Sequence, residues 1–163
     1  MKNLLFFSSN QNKIIEIKKI FKIRNQKILS LNDLPKIKTP KETGKKFVDN
    51  AKIKSLYGFK KFNIQCFADD SGICISALNN KPGVHSKRFA GEDATDHDRI
   101  TLLLSLLNNY PAHQRTAQFR CCLVFSEPKK ITGPESRSTK EAGLFTSSPV
   151  SIENASSPVS STA

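Results

Sequence analysis

Tryptophan is absent from this chain of 163 residues, and tyrosine occurs only at Tyr57 and Tyr110. Proteins that bind single-stranded nucleic acid stack the bases on exposed aromatic side chains. The eleven phenylalanines do not supply such a platform, because they fall at positions typical of a hydrophobic core. The aromatic composition therefore argues against a nucleic-acid-binding protein.

Long apolar runs and paired metal-binding cysteines are also lacking. No stretch approaches the roughly 18 apolar residues of a membrane span, and the apolar run at the N-terminus is too short for a signal peptide. The four cysteines (Cys66, Cys74, Cys121 and Cys122) show no C-x-x-C spacing. Cys121 and Cys122 would point to opposite faces of a strand and cannot chelate one ion. We therefore expect a cytoplasmic protein with reduced thiols, no membrane association and no zinc site.

Acidic side chains are fewer than basic ones, with 14 Asp and Glu compared with 26 Lys and Arg. This balance favours an anionic partner such as nucleic acid, a nucleotide or a membrane surface. The alternative is that lysine is simply abundant on solvated faces. Residues 1–130 carry 24 of the basic and 11 of the acidic side chains, so the excess positive charge belongs to that part of the chain.

Apolar periodicity predicts alternating strands and helices, which indicates an α/β fold. Three helices are predicted: one ends near residue 23, and the other two cover 46–59 and 94–109. The predicted strands cover 4–7, 28–31, 64–68, 73–78 and 117–125, and a loop is predicted at 81–91. Residues 131–163 hold nine serines and no clear period. We therefore predict one domain over 1–130 and a disordered tail over 131–163, with an edge piece around 141–145 as the alternative for the tail.

A polar turn separates the first predicted strand from the first predicted helix. Its hydroxyl, amide and backbone N–H groups can face one anion, and its lysine can reach a phosphate. The alternative is that these side chains only cap the helix. The turn consists of Ser8, Ser9, Asn10, Gln11, Asn12 and Lys13.

Two adjacent carboxylates, Asp69 and Asp70, follow an apolar run and are followed by Ser71 and Gly72. Unpaired carboxylates at the end of a buried strand are destabilising, so such a pair indicates a site, and Mg²⁺ is a natural partner for their oxygens. One carboxylate can bind the metal or deprotonate a water. The alternative is a tight turn between two strands.

Three further polar residues are candidates for the site. Glu42 precedes the second predicted helix and either complements its dipole or binds a metal. Asn50, on that helix between apolar residues, either holds a loop or contacts substrate. Arg88, beside Lys87 in a stiff loop, can meet a phosphate.

Five motifs occur in register: Ser-Ser-Asn-x-x-Lys, Glu-Thr-Gly, Phe-x-x-Asn-Ala, Ala-Asp-Asp-Ser-Gly and Pro-Gly-Val-x-Ser-x-Arg-x-Ala-Gly. Together, over about residues 3–127, they resemble the inosine triphosphate pyrophosphatase family. The resemblance implies a two-lobed α/β fold with a long twisted mixed sheet flanked by helices, and a cleft between the lobes. It also implies a homodimer that hydrolyses ITP, dITP and XTP to monophosphate and pyrophosphate with Mg²⁺.

The resemblance also implies roles for individual residues. The turn Ser8–Lys13 would hold the triphosphate, and Ser71 would contact substrate. Asp70 would bind Mg²⁺ and accept a proton from the attacking water, and Glu42 would be the other metal ligand. Asp69 and Arg88 are further candidates.

The pattern departs from the family after about Glu127, because the Gly-Phe-Gly-Tyr-Asp-Pro and Ser-His-Arg segments that grip base and phosphates do not occur. One hypothesis is a truncated or frame-shifted copy, and the other is a divergent protein with a different tail. We expect weak turnover, poor purine discrimination and reduced stability. The alternatives to an active enzyme are a basic nucleic-acid-binding protein, which leaves the carboxylates unexplained, and an inactive family remnant.

Overall fold

Strands and helices alternate along the chain in the computed structural model, which describes residues 3–23, 26–128, 139–146 and 150–151. The helices are α1 (Gln11–Ile23), α2 (Phe47–Phe62) and α3 (Asp96–Leu107). The strands are β1 (Leu4–Phe6), β2 (Ile28–Ser30), β3 (Gln65–Ile75), β4 (Lys81–Pro82), β5 (Thr116–Ser126), β6 (Thr139–Thr146) and β7 (Val150–Ser151). The predicted α/β class is confirmed.

The chain divides into two compact units. Of the described residues, those within Met1–Ser71 and Cys121–Phe145 form the first unit, and those within Gly72–Arg120 and Thr146–Ala163 form the second. Strands β3 and β5 each contribute residues to both units. The division into a domain over 1–130 and a tail stays a prediction.

The first unit is built on a mixed sheet in the order β2-β1-β3-β5-β6. Strand β1 lies parallel to both neighbours, with Leu4 opposite Ile28 of β2 and opposite Gln65 of β3. The apolar run that contains β1 is buried on both faces, as is typical of a central parallel strand covered by helices.

Successive side chains of β1 and β3 point to opposite faces of this sheet, so a separate hydrophobic core forms on each face. Phe6 and Phe67 pack with Ile14 of α1 on one face. Leu5, Phe7, Cys66 and Ala68 form the other core, against which Tyr57 and Phe59 of α2 pack. Each helix therefore covers its own face of β3, which decides what the polar residues further along β3 meet.

The second unit has its own core of Ile75, Leu107 and Ala117, contributed by β3, α3 and β5. Strand β4 pairs antiparallel with β3, and β7 pairs antiparallel with β5. Gly72 of β3 has no space for a side chain, because an added Cβ would collide with the Gly83 carbonyl and the Ser86 hydroxyl. Ser86 Oγ in turn accepts a hydrogen bond from the Ile73 backbone N–H at 3.0 Å.

Two predictions of secondary structure need correction. The turn predicted at residues 69–72 is wrong, because β3 runs unbroken from Gln65 to Ile75 and the polar side chains find partners on each face. The loop predicted at 81–91 contains β4 and a 3₁₀ helix, Gly83–Arg88. In the tail, Thr139–Thr146 and Val150–Ser151 are strands, and the first of them covers the segment 141–145 that was the edge-piece alternative. The disorder predicted for the tail stays a prediction. Residues 131–138, 147–149 and 152–163 of that tail lie outside the described residues.

Among the helices that the structure describes, none combines the length and the hydropathy that crossing a membrane requires. The longest of them, α2, has 16 residues.

Candidate functional site

The polar turn between β1 and α1 is held by its own side chains. Ser8 Oγ accepts a hydrogen bond from the Asn10 backbone N–H at 3.2 Å, and Asn10 Oδ1 accepts one from the Lys13 backbone N–H at 3.2 Å. Asn10 therefore caps α1, as the capping alternative predicted. Gln11 exchanges hydrogen bonds with the Asn32 side chain, the shorter at 3.0 Å, while Ser9 and Asn12 are exposed.

Capping does not account for the side chain of Lys13. Its Nζ lies 2.5 Å from Asp69 Oδ2 and donates to Ser71 Oγ at 2.6 Å. Asp69 is buried, whereas the Lys13 side chain is 30% exposed. The lysine thus joins the turn at the start of α1 to the polar end of β3.

Asp69 and Asp70 point to opposite faces of β3, because successive residues of a strand alternate. Asp69 and Ser71 share the face that α1 covers, and there Cys121 of β5 donates a weak hydrogen bond from its Sγ to Asp69 Oδ2 at 3.8 Å. Burial first, and the charge of Asp69 second, raise the pKa of the Cys121 thiol to about 11, so this thiol stays protonated. The two adjacent carboxylates therefore do not form a chelating pair.

Asp70 faces α2 and is buried. Asn50 of α2 donates from Nδ2 to Asp70 Oδ2 at 3.0 Å, and the Ser71 backbone N–H donates to Oδ1 at 3.1 Å. Burial raises the pKa of Asp70 above its usual value, and the hydrogen bond from Asn50 and the charge of Lys54 oppose that increase. Glu42 adds to the increase, as expected for a nearby like charge.

The Lys54 side chain lies close to both Glu42 and Asp70. Lys54 Nζ is 3.4 Å from Glu42 Oε1 and 3.9 Å from Asp70 Oδ1, and the Lys54 side chain is only 16% exposed. Glu42 is not in the first turn of α2, where Asp49 is the acidic residue. The structure therefore brings Glu42 to Asp70 and does not support the helix-dipole interpretation.

These two carboxylates suit a hard divalent cation. They already share one positive charge, and Asp70 is a buried oxygen donor. Within the described part of the chain, no cluster of three or more His, Cys, Asp and Glu side chains could hold a metal. Mg²⁺ is commonly bound by one or two carboxylates, with phosphate oxygens and waters completing its shell, so the donor set fits Mg²⁺ together with a phosphate ligand.

Sequence reasoning overlooked Lys54. The pattern that points to it is its spacing, because Asn50 and Lys54 are four residues apart and share a face of α2. Among the other predicted residues, Arg88 lies in the second unit, where its Nη2 is 3.1 Å from His85 Nδ1.

The fold and the site together define a class: an α/β protein in which a strand–turn–helix segment with a lysine adjoins a carboxylate pair that shares one cation. More specifically, the chain belongs to the Ham1 family, which it matches over residues 4–141. The match extends beyond residue 127, where the motifs ended, and the family resemblance seen in the sequence is confirmed.

Two curated relatives are both dITP/XTP pyrophosphatases. The protein from Geobacillus kaustophilus is 38% identical over 132 residues, which are 81% of this chain and 65% of that protein. The protein from Bacillus cereus is 38% identical over 129 residues, which are 79% of this chain and 63% of that protein. This chain thus spans slightly less than two thirds of the length of these relatives.

Solved structures agree with this assignment. The Staphylococcus aureus Ham1 protein is 36% identical, with a TM-score of 0.72 over 92% of this chain and 70% of that one. A HAM1 protein from Coxiella burnetii is 30% identical, with a TM-score of 0.71 over 90% of this chain and 72% of that one.

Proposed function

We propose that this chain hydrolyses deaminated purine nucleoside triphosphates (ITP, dITP and XTP) to the monophosphate and pyrophosphate, using Mg²⁺. Membership of the Ham1 family supports the proposal, as do relatives that are dITP/XTP pyrophosphatases. The observation that carries it is the position of Asp70, which is buried and shares one cation with Glu42.

The triphosphate binds at the start of α1 in this proposal. The N-terminus of a helix attracts anions, and α1 presents it beside the Lys13 ammonium. Lys13 is held by Asp69 and Ser71, so its charge is already placed next to β3 when a phosphate arrives. The remaining polar side chains of the turn, Ser8, Ser9, Asn10, Gln11 and Asn12, line the same approach in this proposal, and Ser71 offers its hydroxyl to the substrate.

Asp70 accepts the proton of the attacking water. The water oxygen bonds to the α-phosphorus, the bond from that phosphorus to the oxygen bridging to the β-phosphate breaks, and pyrophosphate leaves with the bonding electrons. Glu42 and Asp70 would hold Mg²⁺, which would supply positive charge against the charge that develops on the phosphate oxygens. Asp70 can take this role only in its ionised form, which the Asn50 amide and the Lys54 ammonium favour.

The assembly and the location of the protein are further parts of the proposal. A homodimer is inferred from the family resemblance alone. A reducing compartment such as the cytoplasm is inferred from the four cysteines, none of which forms a disulfide within the described part of the chain.

The test is pyrophosphate release from ITP, XTP, dITP and GTP, with and without Mg²⁺. We expect Mg²⁺-dependent release that favours the deaminated bases and is lost in Asp70→Asn. Asp96→Asn is the matched control, because the Asp96 side chain is 94% exposed and pairs only locally with Arg99. Release that survives in Asp70→Asn would remove Asp70 from the chemistry, and a folded wild-type protein that releases no pyrophosphate from any of the four would refute the activity.

A further inference from the structure

Asn50 uses both ends of its side-chain amide at the site. The residue is fully buried on the first turns of α2. Its Nδ2 donates to Asp70 Oδ2 at 3.0 Å, and its Oδ1 accepts from the Gly44 backbone N–H at 2.7 Å. One side chain therefore connects strand β3 to the segment that carries Glu42, two residues before Gly44.

The orientation of this amide follows from its partners. A backbone N–H only donates and an ionised carboxylate only accepts, so the amide oxygen must face Gly44 and the nitrogen must face Asp70. Gly44 also leaves no room for a side chain, since an added Cβ would lie 2.6 Å from Asn50 Oδ1. The glycine thus lets the backbone approach closely enough for the bond to form.

The hydrogen bond from Asn50 also selects which oxygen of Asp70 faces the shared cation. Oδ2 receives the Asn50 amide, and Oδ1 is the oxygen 3.9 Å from Lys54 Nζ. The same ammonium lies 3.4 Å from Glu42 Oε1. With Oδ2 occupied by the amide, rotation of the carboxylate away from Glu42 would break a buried hydrogen bond.

We propose that Asn50 is a positioning residue: it holds Asp70 and the Glu42 segment in the one arrangement in which both carboxylates face a single divalent cation. The inference rests on the proposed function for the metal, and it adds the residue that sets the geometry of the metal site. Partners that orient metal ligands in this way commonly change metal affinity or activity about 10–100-fold when they are removed.

A second buried polar residue on α2 provides a control that distinguishes this positioning role from a general contribution to the stability of the helix. Ser55 of α2 is also fully buried and accepts a hydrogen bond from Ser126 Oγ at 3.0 Å, away from Glu42 and Asp70. Loss of either side chain removes one buried hydrogen-bonding partner from α2. Of the two, only loss of Asn50 removes a hydrogen bond from the Asp70 carboxylate.

The experiment measures Mn²⁺ binding to the nucleotide-free full chain, from the electron paramagnetic resonance signal of free Mn²⁺. We expect Asn50→Ala to bind Mn²⁺ about 10-fold or more weakly than wild type, and Ser55→Ala to match wild type. Gly44→Ala perturbs the same hydrogen bond from its other end and should weaken Mn²⁺ binding in the same direction. In steady-state assays at fixed Mg²⁺, Asn50→Ala should lose kcat more than it raises the KM for ITP.

The outcomes separate this inference from the proposed function. Weaker Mn²⁺ binding in both Asn50→Ala and Gly44→Ala supports the positioning role, even if the wild-type protein hydrolyses none of the nucleotides. Folded Asn50→Ala that binds Mn²⁺ as tightly as wild type overturns it, even if the wild-type protein is active. An equal loss in Ser55→Ala, or no Mn²⁺ binding by wild type, also overturns it.

Discussion

Replacing Lys54 with methionine tests the electrostatics of the site most directly. Its Nζ lies 3.4 Å from Glu42 Oε1 and 3.9 Å from Asp70 Oδ1. Methionine keeps most of the apolar stem, so the substitution removes the charge with little change in packing. Glu42 and the buried Asp70 then lose the ammonium that lies within 4.0 Å of both carboxylates.

The size of the effect follows from the distances and the exposure. At an effective dielectric constant of about 20, each of these ion pairs amounts to about 4 kcal/mol of Coulomb energy. The net loss is smaller, because burying the ammonium costs desolvation energy and the Glu42 side chain is 36% exposed. We expect a loss of about 2 kcal/mol of unfolding free energy without metal, which lowers Tm by roughly 4–8 °C for a chain of this size.

Thermal unfolding at pH 7 with and without Mg²⁺ is the assay. Mg²⁺ should raise the Tm of Lys54→Met more than that of wild type, because the cation no longer competes with an ammonium for the two carboxylates. Lys18→Met is the matched control, because Lys18 pairs with Asp33 at 2.8 Å with both side chains about 40% exposed, and removal of such a pair costs less than about 1 kcal/mol. Equal stability of Lys54→Met and Lys18→Met, or an identical Mg²⁺ response in Lys54→Met and wild type, would refute this reasoning.

Two further predictions concern ionisable groups away from the proposed metal site. Hydrogen bonds from Lys18 first, and then from Ser30, lower the pKa of Asp33 from 3.8 to about 2, so its contribution to stability is complete above pH 3.8 and is lost as the pH falls toward 2. The difference in urea midpoint between wild type and Asp33→Asn should therefore shrink across that range, and a constant difference would contradict the assignment. Burial raises the pKa of the Cys66 thiol to about 12, so iodoacetamide near pH 8 should label Cys66 far more slowly in the folded protein than in urea, as read by peptide mass spectrometry. Equal labelling rates in the two states would show that the thiol is accessible and ionised in the fold.

Local patterns were sufficient to predict most elements of the fold. The isoleucines of α1 recur at helical spacing, and the apolar run at β1 is short and continuous, so the predicted and observed boundaries of these elements differ by a residue or so. Both patterns arise because one face of a helix, or one whole strand, is buried, and burial requires apolar residues at those positions in the sequence. The strand around 139–146 was foreseen only as an alternative, because its polar composition carries no clear period.

The candidate site could be predicted only as a set of separate residues. The motifs identified Lys13, Glu42 and Asp70, but not which side chains each one meets. Lys54 was overlooked, because a lysine in a helix rich in lysines is usually solvated, and only packing shows it 16% exposed beside two carboxylates.

The sequence by itself determined the α/β class, the positions of the helices and the presence of carboxylates at the end of a buried run. Only the tertiary structure decided that Asp69 and Asp70 continue a strand and do not form a turn. Asp, Ser and Gly favour turns locally, but here α1 supplies Lys13 to one face of β3 and α2 supplies Asn50 to the other. The physical reason is that partners far apart in the sequence satisfy each carboxylate, and these partners outweigh the local preference for a turn.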